Sequence, residues 1–364
     1  MTEMLDKIQV YYEDGHRKTK CFCGKVCNIT IMPHIRQAHP EEWEEWSKGF
    51  VKLKGQGVPP RLIIQKYKTH DGKLLFTNSV VERGIREIIE QKKAKLKVSQ
   101  KHIIEEWEPP DFSLKRTTVW DFPRRGEWAV HQNDYRGNWP PLVPRNLILR
   151  YSNKGETILD PFVGGGTTLI EAWLNGRKSF GLDVSPIAIR TTQERIKEMD
   201  RQSRQNCKRR LAGKLKPLVI KGDAREVKHV LSKFNVDDGS VKLACLHPPY
   251  LNSLRYTDTI EEDLSHISDE NVFCTEIQKV ASQIYDLVAD DGICAVLIGD
   301  VKRKKKVVPL GFMVMQRFQQ QHFRLKDIII KVQHKDSSTR FWYTKRQKID
   351  YLIAHEYLFI FSKS

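Results

Sequence analysis

The segment Asp160-Pro161-Phe162-Val163-Gly164-Gly165-Gly166-Thr167-Thr168 restricts the fold of this chain more than any other. It follows the apolar run Thr157-Ile158-Leu159 and leads into a helical stretch, Thr167–Asn175. A strand that ends in an acid, turns through glycines and continues as a helix is the opening unit of a parallel, doubly wound sheet. Glycine permits positive φ and lets the backbone come close to a ligand. The helix N-terminus then offers unpaired N–H groups. The spacing is not G-x-G-x-x-G, and no lysine follows the glycines as in a P-loop. The loop therefore points to a small ligand that is not gripped by phosphates.

The chain after residue 140 keeps the same rhythm. A helix is expected over 141–152, with strands over Thr157–Asp160, Lys178–Asp183, Leu218–Lys221 and Val241–Leu246. Asp291-Gly292 reads as a turn into Ile293–Ile298, and Ile328–Ile330 and Tyr357–Phe361 read as late strands. Such alternation predicts an α/β, Rossmann-like sheet with helices on both faces. The upstream part has a different character. Residues 58–106 read as helical, with Val81, Ile85, Ile88 and Ile89 spaced for one buried face. Residues 107–140 look irregular and are rich in Trp, Pro and Arg. Three regions are expected: a small Cys/His module over 1–50, a helical region over 51–110, and the α/β domain over 111–364. The helix pair near 59–97 reads either as helix-turn-helix-like or as a plain packing hairpin.

Sixty-two Lys and Arg against 45 Asp and Glu leave a net charge of +17, the field expected of a protein with a polyanionic partner. No apolar run approaches about 18 residues, which excludes a helical membrane span from the sequence reading. The first residues lack a secretory pattern, and the seven cysteines are an odd count, so reduced thiols and a cytoplasmic location are expected. Three cysteines crowd into 21–27. Cys21, Cys23, His34 and His39 form the expected zinc set, with the two histidines inside the H-x3–5-H spacing of a C2H2-like finger. The Cys-x-Cys pair is tighter than usual, so Cys27 stands as an alternative to Cys21, and a metal-free thiol-rich subdomain is the other reading. The basic run 201–216 and the cluster Lys302–Lys306 each read as a solvated face or as a phosphate contact.

Asp183 and Asp223 end the second and third strands of the α/β part. An acid at the first of these positions can accept hydrogen bonds from ribose hydroxyls, and one at the second can sit beside an adenine amino group. The alternative is that these acids are helix N-caps. Downstream lies His247-Pro248-Pro249-Tyr250. Two acceptors beside a planar NH2 draw it toward sp3 geometry and aim its lone pair. The Pro248 carbonyl and residue 247 supply such acceptors, the proline rings stiffen the turn, and Tyr250 offers a face for a base extruded from a duplex.

These blocks resemble the S-adenosylmethionine-dependent DNA amino-methyltransferases of the N6-adenine/N4-cytosine group. DPFVGGGTTLIEAWLNGRKSFGLDVSPIAI is similar to that family's cofactor block, whose usual form is DPF-x-G-[SG]-GTT followed by an acid. NWPPLVPRNLILRYS resembles the segment that closes over the methionine end, and HEYLFIFSK the final strand. The resemblance covers about 130–364. It implies S-adenosylmethionine held by Asp160, Phe162, Gly164, Gly166, Thr167, Asp183 and Asp223. It implies a catalytic turn of His247, Pro248, Pro249 and Tyr250, and DNA methylation with restriction–modification as its setting.

The chain departs from the family at residue 247, where Asp, Asn or Ser is usual. A neutral imidazole has one acceptor nitrogen and an imidazolium has none. His247 is therefore expected to work only when neutral, with activity falling as pH drops through about 6.5. The continuation LNSLRY resembles the cytosine-N4 members, which favours N4 of cytosine over N6 of adenine. About two dozen residues separate Asp223 from His247, too few for a recognition insertion, so reading of the DNA site is expected from residues 1–110. Two other functions fit the same motifs: an RNA base amino-methyltransferase, and a non-catalytic, finger-containing DNA-binding regulator.

Overall fold

The structure, a computed structural model, describes residues 9–13, 16–20, 26–27, 40–55, 104–205, 209–257, 260–303, 306–334 and 351–363. Two compact units are present, Met1–His102 and Ile103–Ser364. In the first, strands β1 (Gln9–Glu13), β2 (His16–Lys20) and β3 (Val26–Cys27) form an antiparallel sheet in that order. Helix α1 (Pro40–Gly55) buries Trp43, Trp46, Ser47 and Phe50, which share one face at helical spacing. It runs straight through the expected boundary at residue 50. Cys21, Cys23, His34, His39 and the helix pair near 59–97 lie outside the described residues. Among the described residues, no group of three or more His, Cys, Asp or Glu side chains is placed to hold a metal. No described helix is long and apolar enough to cross a membrane.

The second unit carries the α/β fold. Its elements are β4 (Val119–Trp120), α2 (Leu142–Tyr151), β5 (Thr157–Asp160), α3 (Thr167–Leu174), β6 (Lys178–Asp183), α4 (Pro186–Gln205) and β7 (Leu218–Lys221). There follow α5 (Val227–Ser232), β8 (Val241–Leu246), α6 (Glu270–Leu287), β9 (Val288–Ile298), the hairpin β10 (Val301–Arg303) and β11 (Lys306–Val308), α7 (Leu310–Gln320), β12 (Phe323–Val332) and β13 (His355–Lys363). The eight-stranded sheet has the order β4-β12-β13-β9-β8-β5-β6-β7. Strands β9, β8, β5, β6 and β7 run parallel to one another, and β13 is antiparallel to both β9 and β12.

Period-two alternation decides which helices cover which face. Leu159, Ala244, Leu246, Val296 and Phe359 point into a core with α5, α6 and α7. Ile158, Leu243, Cys245, Ala295 and Leu358 point the other way, to a core with α2. Helices α3 and α4 bury Leu169, Ile170, Trp173, Ile196 and Met199 beside Trp107 and Trp128. Ile104 joins that cluster, so residues just ahead of the expected boundary near 110 pack into this unit. Cys245, Cys274 and Cys294 are buried free thiols.

Four parallel strands, β5 to β8, begin and end where the sequence places them, because each is an apolar run closed by turn residues. Three features differ from the expectation. Val119–Trp120, in the stretch read as irregular, adds an edge strand parallel to β12. Asp291-Gly292 sits inside β9, where the register jumps from Val241↔Val288 to Leu243↔Ile293. Pairing resumes on both sides of it, with residues 289–292 opposite the single residue Lys242. Most cations described in the basic run 201–216 are paired with acids outside it: Arg201 with Glu198, Arg204 and Lys216 with Asp200, and Arg209 with Glu108. That part of the run is an ion-paired face.

Candidate cofactor and base site

Strand order reverses at β5, which has β6 on one side and β8 on the other. The loops that leave β5 and β8 at their carboxyl ends diverge there, and the crevice between them is where doubly wound sheets take ligands. The crevice encloses about 740 Å³, open solvent included. Its walls bring together Asp160, Phe162, Gly164 and Thr167 from the glycine loop with Asp183, Asp223, His247 and Pro249. All of these were singled out from the sequence.

The glycine loop is held through its backbone. Gly164 N–H donates to Asp183 Oδ2 at 2.9 Å, and Gly165 N–H donates to Asn138 Oδ1 at 3.0 Å. Phe162 N–H donates to Asp160 Oδ1 at 3.0 Å, and Thr168 donates its hydroxyl to the other Asp160 oxygen. Gly166 has φ of +81° and caps α3 in the left-handed conformation. Burial pushes Asp160 up to about 7 and Asp183 up to about 6, against the backbone and hydroxyl donors that favour their charged forms.

Both oxygens of Asp183 are engaged, the second by Ser185 N–H at 2.9 Å. Each retains lone-pair capacity toward the crevice. Asp223 caps the short turn at Ala224 and accepts three further bonds from the Arg225 guanidinium, at 3.1 Å, 2.9 Å and 2.6 Å. Arg225 is shared with Glu276. The N-cap reading of Asp223 is thus realised alongside its place on the crevice wall.

Several residues on the wall were not identified individually from the sequence. Tyr135, Asn138 and Trp139 come from the irregular stretch, and Tyr256 and Asp263 from the segment after Tyr250. Tyr135 and Tyr256 stack with their planes 13° apart. Asn138 Nδ2 is a buried donor with no partner. Its amide is fixed because Oδ1 is used by Gly165, so Nδ2 needs an acceptor from a bound group. That orphaned donor, the close backbone approach at Gly164 and the Asp183 carboxylate fit an amino-acid-bearing nucleoside such as S-adenosylmethionine. Asn138 opens the NWPPL block, the one local signal for its role.

The His247 turn is held through side chains. His247 stacks on Trp139, with centroids 5.5 Å apart and planes 18° apart, and meets the Tyr250 ring edge-on at 5.7 Å. Its Nε2 lies 3.0 Å from the Tyr250 hydroxyl, which donates to Glu356 Oε1 at 2.7 Å. Lys331 donates to Glu356 Oε2 at 2.5 Å. Pro248 is buried, and Gly299 lies under the Tyr250 ring. Burial pushes His247 down to about 4, with Lys331 and Arg125 in the same direction and Glu356 opposing. A desolvated imidazole stays neutral well below its solution value, which moves the expected pH threshold from 6.5 toward about 4. Asp300, next to Gly299, accepts from Gly311 N–H at 3.0 Å near the start of α7. In the basic cluster near 302–306, Lys302 and Arg303 donate to the carbonyls of Tyr351 and Ser268.

Residues 41–194 match the N6_N4_Mtase family, described as DNA methylase. The chain is 31% identical over 101 residues to the Type II methyltransferase M.MjaII of Methanocaldococcus jannaschii, which covers 27% of this chain and 19% of that protein. It is 30% identical over 104 residues to the Type II methyltransferase M.BglI of Bacillus subtilis, covering 26% and 30%. It is 40% identical over 86 residues to the orphan methyltransferase M.BamHII of Bacillus amyloliquefaciens, covering 22% and 32%. These matches support an amino-methyltransferase family. Each similarity spans less than a third of the relative's length, and the family match stops ahead of His247.

Proposed function

We propose that this chain is a site-specific DNA methyltransferase that carries a methyl group from S-adenosylmethionine to an exocyclic base amine. One observation carries the reading. The glycine loop and the His-Pro-Pro-Tyr turn leave adjacent parallel strands, β5 and β8, at the same end, and the loop lines one crevice with His247 and Pro249 of the turn. A cofactor site and an amine grip on adjacent strands are what direct transfer between two bound reactants requires.

S-Adenosylmethionine bound in the crevice would supply the electrophilic methyl, with its thioether as the leaving group. Asp183 accepts from ribose hydroxyls, and Asn138 Nδ2 donates to the amino-acid end. The Pro248 carbonyl and His247 accept from the two amine hydrogens and turn the nitrogen lone pair toward the methyl. Tyr250 receives the face of the flipped base. The proton shed by the methylated amine passes to its acceptor and on to water. The zinc set Cys21, Cys23, His34 and His39 belongs to the same proposal, as part of a DNA-reading module over residues 1–110. About one equivalent of zinc is expected in the purified chain, and a metal-free protein would remove this element.

N4 of cytosine is favoured by the LNSLRY continuation. A specific similarity favours adenine: the DNA adenine methyltransferase YhdJ of Escherichia coli is 33% identical over 78 residues. Single-molecule sequencing of DNA from a methylation-free host expressing the chain reads base and motif together. One methylated amine at one recurring sequence is expected. Unmodified DNA beside folded, cofactor-binding protein would replace this reading with that of a non-catalytic DNA-binding protein.

A further inference from the structure

The grip at residue 247 uses an imidazole, and an imidazole accepts only through the nitrogen that lacks its proton. Which nitrogen that is follows from a chain of side chains that starts at the turn and ends on strands β12 and β13. Lys331 and Glu356 are cross-strand partners on β12 and β13, each with a side chain 9% exposed. The ammonium has donors only, so Glu356 is the acceptor and its second oxygen faces the Tyr250 hydroxyl at 2.7 Å. Burial alone would push the Glu356 carboxyl up. Lys331 beside it holds it below the usual carboxylate range, so it accepts and does not donate. The single hydroxyl proton of Tyr250 is then committed to Glu356. The 3.0 Å contact between Tyr250 and His247 must take its proton from Nε2.

We propose that Lys331, Glu356 and Tyr250 form a relay that fixes His247 as its Nε2–H tautomer and presents Nδ1 as the acceptor for the base amine. Glu356 and Lys331 are positioning residues in this arrangement, since they act through Tyr250 and His247. The relay gives a histidine the acceptor that the family's usual Asp, Asn or Ser carries in its own side chain. It rests on the amine-transfer reading only for the destination of Nδ1; the tautomer stands on the hydrogen-bond directions alone. Among the described residues, the charged groups that act on His247 are Glu356, Lys331 and Arg125. Trp139 closes one face of the ring.

The test uses the full chain and the isosteric variant Glu356→Gln. In the variant, Lys331 keeps the amide oxygen, so the amide NH2 turns to the Tyr250 oxygen. The Tyr250 proton then turns to His247 Nε2, and the imidazole proton moves to Nδ1. Imidazole 15N spectra, with His247 assigned by its loss in His247→Asn, should show Nε2 protonated in the wild type and Nδ1 protonated in Glu356→Gln. The kcat should fall about 10²-fold, the scale of losing one pre-placed hydrogen-bond partner of a reacting group, with the cofactor KM unchanged. Asn at 247 brings its own carbonyl oxygen, so the two substitutions should be strongly non-additive in kcat.

A wild-type spectrum with Nδ1 protonated, or with imidazolium at neutral pH, overturns the relay. So does a tautomer that Glu356→Gln leaves unchanged, or simple additivity with His247→Asn. The wild-type spectrum decides the tautomer even if the variant fails to fold. It is recorded without substrate, so the expected spectrum together with no methylated DNA would uphold the relay and count against the transfer reading.

Discussion

The two walls of the crevice are built on different principles. The glycine loop is held by its own backbone: the N–H groups of Phe162, Gly164 and Gly165 each reach an Asp or Asn side chain. The His247 turn is held by side chains, with Trp139 on the ring face and Tyr250, Glu356 and Lys331 in line from Nε2. A backbone-held loop is sensitive to where a Cβ is added. A side-chain-held turn is sensitive to which way protons point. The two walls should therefore fail under different perturbations.

Adding a Cβ to the loop gives the largest expected effect. At Gly166, φ is +81° and a Cβ would lie 2.5 Å from Thr192 Cγ2. Gly166→Ala combines left-handed strain of about 1–2 kcal/mol with overpacking of similar size, so a loss of about 3 kcal/mol is expected. A shift of the denaturant midpoint at constant m-value measures it. A shift under about 1 kcal/mol would mean that the loop relaxes and that its backbone hold is weaker than drawn.

The difference between the walls also explains what the sequence made readable. Asp160, Asp183 and the glycines are local signals: each sits at the end of an apolar run, and the loop's shape follows from φ freedom and helix-end N–H groups. Strands β5 to β8 are legible for the same reason. The partners of His247 are not, because Glu356 lies 106 residues from Tyr250 and Lys331 joins it only through strand register. One trace existed, an acid at the head of the apolar run Tyr357–Phe361, where a buried charge needs a partner. Val119–Trp120 was hidden because two residues are too few to show a period. The burial that lowers the His247 threshold is not legible either, because spacing reveals a residue type and says nothing of its desolvation.

Titration should separate the walls by pH, an effect of about 1.4 kcal/mol per pH unit, or tenfold. Asp183 is pushed up to about 6 by burial, so it gains a proton as pH falls through that value. A protonated carboxyl loses acceptor capacity toward ribose hydroxyls. Cofactor Kd should then rise by up to about tenfold per unit below pH 6. His247, pushed down to about 4, keeps its acceptor through the same range. The single-turnover rate at saturating cofactor should stay level from about pH 8 to about 5.5 and fall only near 4. Calorimetry for the cofactor and rapid quench for the rate measure the two arms. A Kd flat to pH 5 would remove Asp183 as a cofactor ligand, and a rate falling near 6.5 would place His247 in water rather than in the wall.

The smallest effect calibrates the first. Gly155 has φ of +88° and nothing within 4 Å of the added Cβ. Its N–H donates to the Gly176 carbonyl at 2.8 Å, away from the crevice. Gly155→Ala therefore isolates the conformational strain, about 1 kcal/mol, and should leave cofactor affinity unchanged. Subtracting it from the Gly166→Ala loss leaves the contribution of the Thr192 contact, the part that belongs to the loop being packed rather than merely bent. Equal losses at the two glycines would show that bending alone defines the loop, and the contrast between a packed backbone wall and a relayed side-chain wall would reduce to one of φ.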